Sequence, residues 1–359
     1  MSRFVIIGGG IAGFSIAISL RKKGHEVVVY ERSHPKKHPG HAFLMHPDAY
    51  TILLDLIGAE SMSMMLSSEI DRLHMYDSEG LHLQEVSLGG WICVKRSEPL
   101  RVLAHSLGIQ HIRYDRTFVR FTEKDGRYTA AVFDDGETVE ADYFIGADGA
   151  HSAVRQALFG PTVFTPVVVK ELLGTTYDPE IYEKHRKNFR KYFNKDGGLA
   201  IGFIPCSVDE IIWFMQFDSS RYKNDISTDE GVLDFMRSAL SDFPPAVREL
   251  VQSPTTRPYY TWNTTDFELL PSFHRNNAVL IGDAAHLALP FTSAGVGDAL
   301  HDAECLTEEF AATADFGKAC EAFYLRRSSI VSAHVQAGRQ IRESFMRGTG
   351  EGVRIPLVS

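Results

Sequence analysis

The sequence predicts an α/β fold: a Rossmann-like sheet flanked by helices, carrying an inserted β-sheet domain, and closed by long C-terminal helices. Three observations predict it. The first thirty residues parse as strand, helix, strand. Two later segments, ending near Asp148 and Asp283, repeat a buried strand that runs into a turn of small residues. Between them lie stretches whose apolar residues alternate with period two. Size allows this, since 359 residues exceed one typical domain without demanding two, and 44% apolar content supports a sizeable core.

The first unit is "RFVIIGGGIAGFSIAISLRKKGHEVVVYER", Arg3 to Arg32. "FVII" is a short β-branched strand. Gly8, Gly10 and Gly13 then form G-x-G-x-x-G, and Ile11 and Ala12 open a helix with Ala12, Ile16 and Leu20 on one face. Gly24 ends that helix at the usual C-cap position. "EVVVY" is the second strand, with Glu31 and Arg32 after it; Glu31 stands 18 residues past Gly13. Each part has a reason. Gly8 permits the tight turn, Gly10 lets backbone approach a pyrophosphate, and Gly13 lets the helix pack close to the strands. The helix N-terminus offers free N–H groups and a positive dipole end to an anion. Glu31 can accept from a ribose hydroxyl, which argues against a 2′-phosphate and leaves FAD or NAD.

The next segment, "HPKKHPGHAFLMHPDAY" (His34 to Tyr50), is rich in histidine, but its spacing fits no metal site. Residues 70–92 alternate around Ser78-Glu79-Gly80, a hairpin pattern. "DYFIGADGAHSAVRQALFG" (Asp142 to Gly160) is a strand, an Asp-Gly turn and a helix start carrying Ser152 and Arg155. Residues 161–270 hold further strands, "VVVKELLGTTY", "LAIGFIP" and "EIIWFMQF", then a helix from Gly231 to Phe243 stopped by Pro244-Pro245. "AVLIGDAAHLALPFTSAGVGDALHDA" is a strand ending in Gly282-Asp283, then thin small residues, a proline and spaced glycines, a stretch suited to backbone beside a ligand. Phe316 to Met346 reads as long helices, and residues 348–359 as a loose tail.

Composition excludes several classes. The net charge is −9 and no long basic run occurs, so nucleic acid is not expected as a partner. The densest basic cluster, "EKHRKNFRKYF" (Glu183 to Phe193), reads as a solvated helix face. The four cysteines show no C-x-x-C spacing and read as reduced, structural thiols. No run approaches the roughly 20 apolar residues of a membrane span, and the N-terminal apolar run is too short for a signal peptide. A cytoplasmic protein, monomeric or homodimeric, is expected.

Taken together, Gly-x-Gly-x-x-Gly at the N-terminus, Asp148-Gly-x-x-Ser152-x-x-Arg155 and Gly282-Asp283-Ala-Ala-His286 resemble one family. It is the single-component FAD-dependent aromatic-ring monooxygenases typified by p-hydroxybenzoate hydroxylase, similar in layout to the tetracycline-inactivating flavin monooxygenases. The resemblance covers residues 1 to roughly 160 and 260 to 345. It implies a Rossmann-like FAD-binding domain of the GR2 type (residues 1–69, 93–160 and 271–347) and a substrate-binding sheet domain (70–92 and 161–270). It implies that Gly8, Gly10, Ile11, Ala12, Gly13, Glu31 and Arg32 hold the ADP half of FAD. Arg96 would reach the ribityl-phosphate region, Asp148 would close the site beneath the pyrophosphate, and Asp283 would bond the ribityl chain. Pro290, Gly295 and Val296 would run beside the isoalloxazine, where the helix N-terminus meets negative charge. FAD would be non-covalent, and NAD(P)H a transient co-substrate.

The activity implied is hydroxylation with O2, through a flavin C4a-hydroperoxide, of an apolar small molecule with an aromatic or polycyclic ring. No dedicated catalytic side chain is required, because the cofactor carries the chemistry. Pocket candidates are Phe203, Trp213, Met215 and Phe217 on the inserted strands, Phe43 and His46 from the loop after the second strand, and Pro290. His286 reads as a packing and hydrogen-bonding residue. The segment after Pro290 departs from the family's Gly-Gln-Gly: it is Ser293-Ala294-Gly295, as in the sister flavin halogenases, whose Trp-x-Trp-x-Ile-Pro signature is absent. Halogenation, reduction or dehydrogenation on the same fold is therefore the alternative reading, and a non-catalytic FAD-binding protein a further one. Substrate-stimulated NAD(P)H oxidation and the oxygen content of the product discriminate among them.

Overall fold

The computed structural model describes residues 1–34, 42–253, 255 and 259–348. All but the first residue of the expected loose tail lie outside that set, as does much of the histidine-rich segment.

The chain opens with β1 (Arg3–Ile7), α1 (Ile11–Lys22) and β2 (Glu26–Tyr30). Then come β3 (Ala42–Met45), α2 (Pro47–Ser63), a long hairpin of β4 (Ser67–Asp77) and β5 (His82–Lys95), and α3 (Ser97–Leu107). β6 (Ile112–Arg113) precedes a small meander of β7 (Phe118–Lys124), β8 (Arg127–Phe133) and β9 (Thr138–Glu140). β10 (Tyr143–Gly146) and α4 (Ala153–Phe159) carry the Asp-Gly motif. The insert follows: β11 (Val169–Tyr177), α5 (Pro179–His185), β12 (Asn188–Phe193), β13 (Leu199–Ser207), β14 (Glu210–Asp218), α6 (Asp229–Ala239), α7 (Pro245–Gln252) and β15 (Tyr260–Asn263). The chain then returns through β16 (His274–Arg275), β17 (Ala278–Leu280), α8 (Asp283–His286), α9 (Gly295–Ala312) and α10 (Phe316–Arg347).

Two sheets carry the architecture. The first has the order β16-β17-β10-β1-β2-β6, and every pairing but β16 with β17 is parallel. Its central strands are apolar on both faces because helices cover both, as a parallel sheet requires. The motif turns all leave the carboxyl ends of β1, β10 and β17, three adjacent strands, so motifs far apart in sequence meet at one sheet edge.

The second sheet has eight strands in the order β15-β11-β14-β13-β12-β4-β5-β3, antiparallel except where β12 meets β4. It extends beyond the segments expected to form it. The boundaries at 70 and 92 fall inside β4 and β5, and β3, expected to lie with the first domain, pairs with β5. The basic cluster at 183–193 is not one helix face: Asn188–Phe193 is a strand whose alternation buries Phe189, Lys191 and Phe193. The three-stranded meander at 118–140 was not foreseen from the sequence.

Strand parity decides which face of this sheet does what. Phe203, Trp213, Met215 and Phe217 share one face with Leu199 and Ile201, through the cross-strand pairs Phe203↔Trp213, Ile201↔Met215 and Leu199↔Phe217. That face packs under α6 and α7, against Val232, Phe235, Met236, Leu240 and Val251. Trp213 lies over Gly174, whose missing Cβ makes room for the indole, and its buried Nε1 has no hydrogen-bond partner among the described residues. These four residues, expected to line the substrate pocket, are therefore core. The opposite face carries Ala200, Ile204, Ile212 and Phe214, and packs with Phe291, Phe345 and Met346 of the first module. The face toward the motif turns is that second one.

Phe217→Ala should accordingly cost about 3–5 kcal/mol in denaturant unfolding, the range for an aromatic truncated in a core. Substrate KM should be unchanged. Near-native stability with a raised KM would return Phe217 to the pocket.

Candidate active site

Three glycines of the first turn have three different environments. Gly8 has φ +111°, and a Cβ there would lie 2.2 Å from Ala147 O. A Cβ on Gly13 would lie 1.9 Å from Gly8 O. Both positions are closed by the protein's own backbone. Gly10 differs, because a Cβ there meets nothing within 4 Å. It is the N-cap of α1, which has no side-chain cap and no acid in its first turn. The glycine loop is held to β2 by Glu31, which is buried and accepts from Gly9 N at 2.6 Å and Ser33 N at 2.8 Å. Arg32, next to it, is exposed.

The Asp-Gly motif follows β10. Asp148 accepts from Ser152 Oγ, from Ala153 N at 2.7 Å and from Val154 N at 3.1 Å, so its carboxylate caps α4. Burial outweighs these bonds and raises its pKa. Its backbone N is also one of the atoms a Cβ on Gly8 would strike, at 2.7 Å, which puts the second motif directly against the first.

Arg155 explains the end of that motif. It is buried, and it donates from Nη2 to Ala150 O at 2.6 Å, from Nη1 to Ala284 O at 3.0 Å and from Nε to Thr162 Oγ1 at 2.8 Å. Its guanidinium stacks on Phe267, 4.3 Å from the ring centroid. One arginine thus ties the Asp-Gly turn to the Gly-Asp turn.

The Gly-Asp turn is held from the other side by Asp302 of α9. Asp302 Oδ2 accepts from Gly282 N at 2.7 Å and pairs with His286 Nε2 at 2.6 Å, and Oδ1 accepts from Arg327 Nε at 2.7 Å. Burial alone would raise the Asp302 pKa, but His286 and Arg327 overcome it and hold it at about 2. Burial alone would lower His286, and the Asp302 charge and hydrogen bond raise it instead. Arg327 also reaches Asp298, which pairs with His334 at 2.8 Å. His286 is thus a structural member of a buried ionic chain.

Between these clamps, Asp283 presents an open face although protein encloses it on most sides. It is the first residue of α8, and Gly282 takes the N-cap position. Enclosure raises its pKa, against the opposing pull of Arg96, His286 and Arg155. Arg96, at the N-cap of α3, makes no hydrogen bond or ion pair among the described residues, yet its charge is felt at Asp283. Gly295 opens α9, whose N-terminus has no side-chain cap, and a Cβ on Gly295 would lie 3.8 Å from Asp283 Oδ1. Val296 follows, half-buried, and Pro290 is exposed at the start of a 3-10 turn that ends at Ser293 in the left-handed region. Ala12 of α1 lies against Gly282, so the first and third motifs touch.

The remaining candidates lie on β3 and at the start of α2, whose Ala49 lies against Gly297 of α9. Phe43 is half-buried on β3, opposite Val94. His46 is the N-cap of α2: its Nδ1 accepts from Asp48 N at 3.2 Å and its ring meets Trp91 edge-on. Neither Arg155 nor Asp302 was singled out from sequence as a site residue, although Arg155 stood in the motif.

These residues suit a dinucleotide whose pyrophosphate meets the open backbone of Gly10, whose polyol meets Asp283, and whose ring end meets the uncapped α9. FAD fits each. The class defined is a dinucleotide-binding α/β protein with a second, eight-stranded sheet. Comparison with known proteins makes it specific. The model of the FAD binding domain family matches residues 2–337. The chain is 27% identical to 3-hydroxybenzoate 6-hydroxylase of Klebsiella oxytoca over 91% of its length and 83% of the relative's. It is 25% identical to 6-hydroxynicotinate 3-monooxygenase of Pseudomonas fluorescens, over 85% of the chain and 83% of the relative. In fold it resembles Klebsiella pneumoniae HpxO complexed with FAD and uric acid (TM-score 0.85, 21% identity, 97% of this chain and 89% of that one). It also resembles the tetracycline destructase Tet(51) (TM-score 0.71, 21% identity, 99% and 92%). The chain belongs to the FAD binding domain family, and it is a FAD-dependent enzyme of the monooxygenase class. Among the described residues, no helix is long and apolar enough to cross a membrane.

Gly10→Val and Gly13→Val should separate the two uses of glycine. Gly10→Val should keep the apo melting temperature and lose FAD binding, read as absent quenching of flavin fluorescence. Gly13→Val should fold poorly or not at all. Wild-type FAD affinity in Gly10→Val would show that the open space beside α1 is not where the cofactor lies.

Proposed function

We propose that the protein uses NAD(P)H and O2 to hydroxylate an aromatic ring that carries an acidic oxygen group. When bound, FAD supplies the redox chemistry, reduction by a nicotinamide and activation of dioxygen. What this chain supplies is position, dryness and charge.

The observation that carries the substrate reading is on the sheet face turned toward Phe291, next to Pro290. Leu173 and Phe214 are paired on two central strands, β11 and β14, yet both are only half-buried. Beside them lies a buried polar chain. Lys191 Nζ donates to Gln216 Oε1 at 2.8 Å, and Gln216 Nε2 donates to Glu171 Oε1 at 2.6 Å. An ammonium has three donors, and Lys191 uses one of them among the described residues. The rings of Phe193 and Phe214 flank it at 5.1 and 5.4 Å. Burial pushes the Lys191 pKa down to about 8 against the opposing charge of Glu171, whose own carboxyl is raised by burial. A buried lysine with spare donors among aromatic rings suits an anionic oxygen on a flat ring.

Two further facts support the reading. Three of the relatives are named for 6-methylsalicylate, 3-hydroxybenzoate and 6-hydroxynicotinate, all ring acids. Lys95, the lysine just before Arg96, is ion-paired with Glu210 and lies over Tyr177. Lys191 is itself a buried lysine beside the proposed pocket, so halogenation stands as the second reading.

The test is turnover under 18O2 with NADH or NADPH and a panel of hydroxylated benzoates and neutral phenols. The expected product carries one labelled oxygen, with NAD(P)H consumed in step. Lys191→Met should lower kcat/KM for the carboxylates by roughly tenfold or more, a charge-assisted hydrogen bond lost, and leave neutral phenols less affected. Halide-dependent turnover, or conversion without O2, would overturn the hydroxylase reading.

A further inference from the structure

The outer end of the β4–β5 hairpin carries a cluster that the flavin chemistry does not use. His74 on β4 stands opposite Glu85 on β5, and His82 lies one register shift away. One ligand atom from each of these three side chains lies within 4.8 Å of the other two. His74 is half-buried, and His82 and Glu85 are exposed.

The hydrogen bonds around His74 assign its nitrogens. Asn188 Nδ2 donates to Arg186 O at 2.7 Å, so its Oδ1 is the atom that faces His74 Nε2, at 3.0 Å. An amide oxygen only accepts, so Nε2 carries the proton. In the neutral ring Nδ1 then holds a lone pair, and it lies 3.2 Å from Glu85 Oε2. A metal ion bound to both atoms would join these two acceptors. Arg72 takes the other carboxylate oxygen, Oε1, at 2.9 Å and so turns Oε2 toward the imidazole. An imidazole with its far nitrogen bonded to an amide oxygen, and a carboxylate held by an outer arginine, is the outer arrangement that orients ligands at metal sites.

We propose that His74, His82 and Glu85 form a divalent transition-metal site, with Zn2+ as the ion that suits two imidazoles and one carboxylate. A tetrahedral ion with bonds near 2.1 Å needs its ligand atoms about 3.4 Å apart. Rotation of the two exposed side chains, His82 and Glu85, closes the difference without moving the strands. The fourth position is open to water. The ion would fasten β4 to β5 where the hairpin turns, at the outer edge of the eight-stranded sheet.

The test is calorimetric titration of the metal-free full-length protein with ZnCl2 at neutral pH, with MgCl2 as the hard-ion control. The wild type is expected to take up one equivalent of zinc with micromolar affinity, to melt at a higher temperature in its presence, and to ignore magnesium. His82→Ala and Glu85→Gln, both at exposed positions that leave the strands intact, should each weaken binding by roughly tenfold or more. Absence of zinc binding at about 1 mM would overturn the proposal. So would wild-type affinity in His82→Ala, which would place the ion on other histidines.

Discussion

The turn from Gly282 to Ala285 is gripped from two sides by buried charge, and the site depends on that grip. Arg155 donates to the carbonyl of Ala284, and Asp302 accepts from the N–H of Gly282 and from His286. Neither contact is made by a residue near the turn in sequence. Each ties it to another element: Arg155 to the Asp-Gly turn through Ala150, Asp302 to α9 and, through Arg327, to α10. The open face of Asp283 is aimed by these two clamps, since its own side chain makes no capping bond.

The cost of such burial is high, because charges removed from water must be repaid by geometry. Here the repayment is made by chains rather than pairs. Asp302, Arg327, Asp298 and His334 form a chain in which each is bonded to the next. Arg339, further along α10, grips Asp266 with two bonds of 3.0 Å and reaches Glu268. Asp266 lies in the segment that leaves the second sheet. One helix is therefore bonded to the Gly-Asp turn and to the exit of the second sheet, and Gly338 lets its backbone approach Leu289, just before Pro290. These contacts fix the second sheet relative to the motif turns.

The parallel sheet and its three motif turns were legible because local rules govern them. A strand followed by Gly8, Gly10 and Gly13 and a helix is decided within thirty residues. The face of the inserted sheet was not legible. Period two tells which residues share a face, and it grouped Met215, Phe217 and Trp213 correctly, but it cannot tell which face a distant helix covers. Here α6 and α7, later in the chain, took that face. Lys191 was missed for a different reason. Its neighbourhood was weighed by charge density, whereas the alternation Phe189, Lys191, Phe193 would have shown a lysine on the buried face of a strand. Arg155 was visible as part of a motif, but its partner carbonyls at 283–284 lie more than a hundred residues away. No local signal connects them.

Arg155 sets the Gly-Asp turn, and FAD affinity in Arg155→Lys reports on it directly. Lysine keeps the charge and loses the planar fork that spans Ala150, Thr162 and Ala284. Flavin-fluorescence titration should show affinity reduced roughly tenfold or more, the loss of one to two charge-assisted bonds. The apo protein should remain folded by near-ultraviolet circular dichroism. A folded Arg155→Lys protein that binds FAD as tightly as the wild type would show that the Gly-Asp turn does not depend on the Arg155 fork.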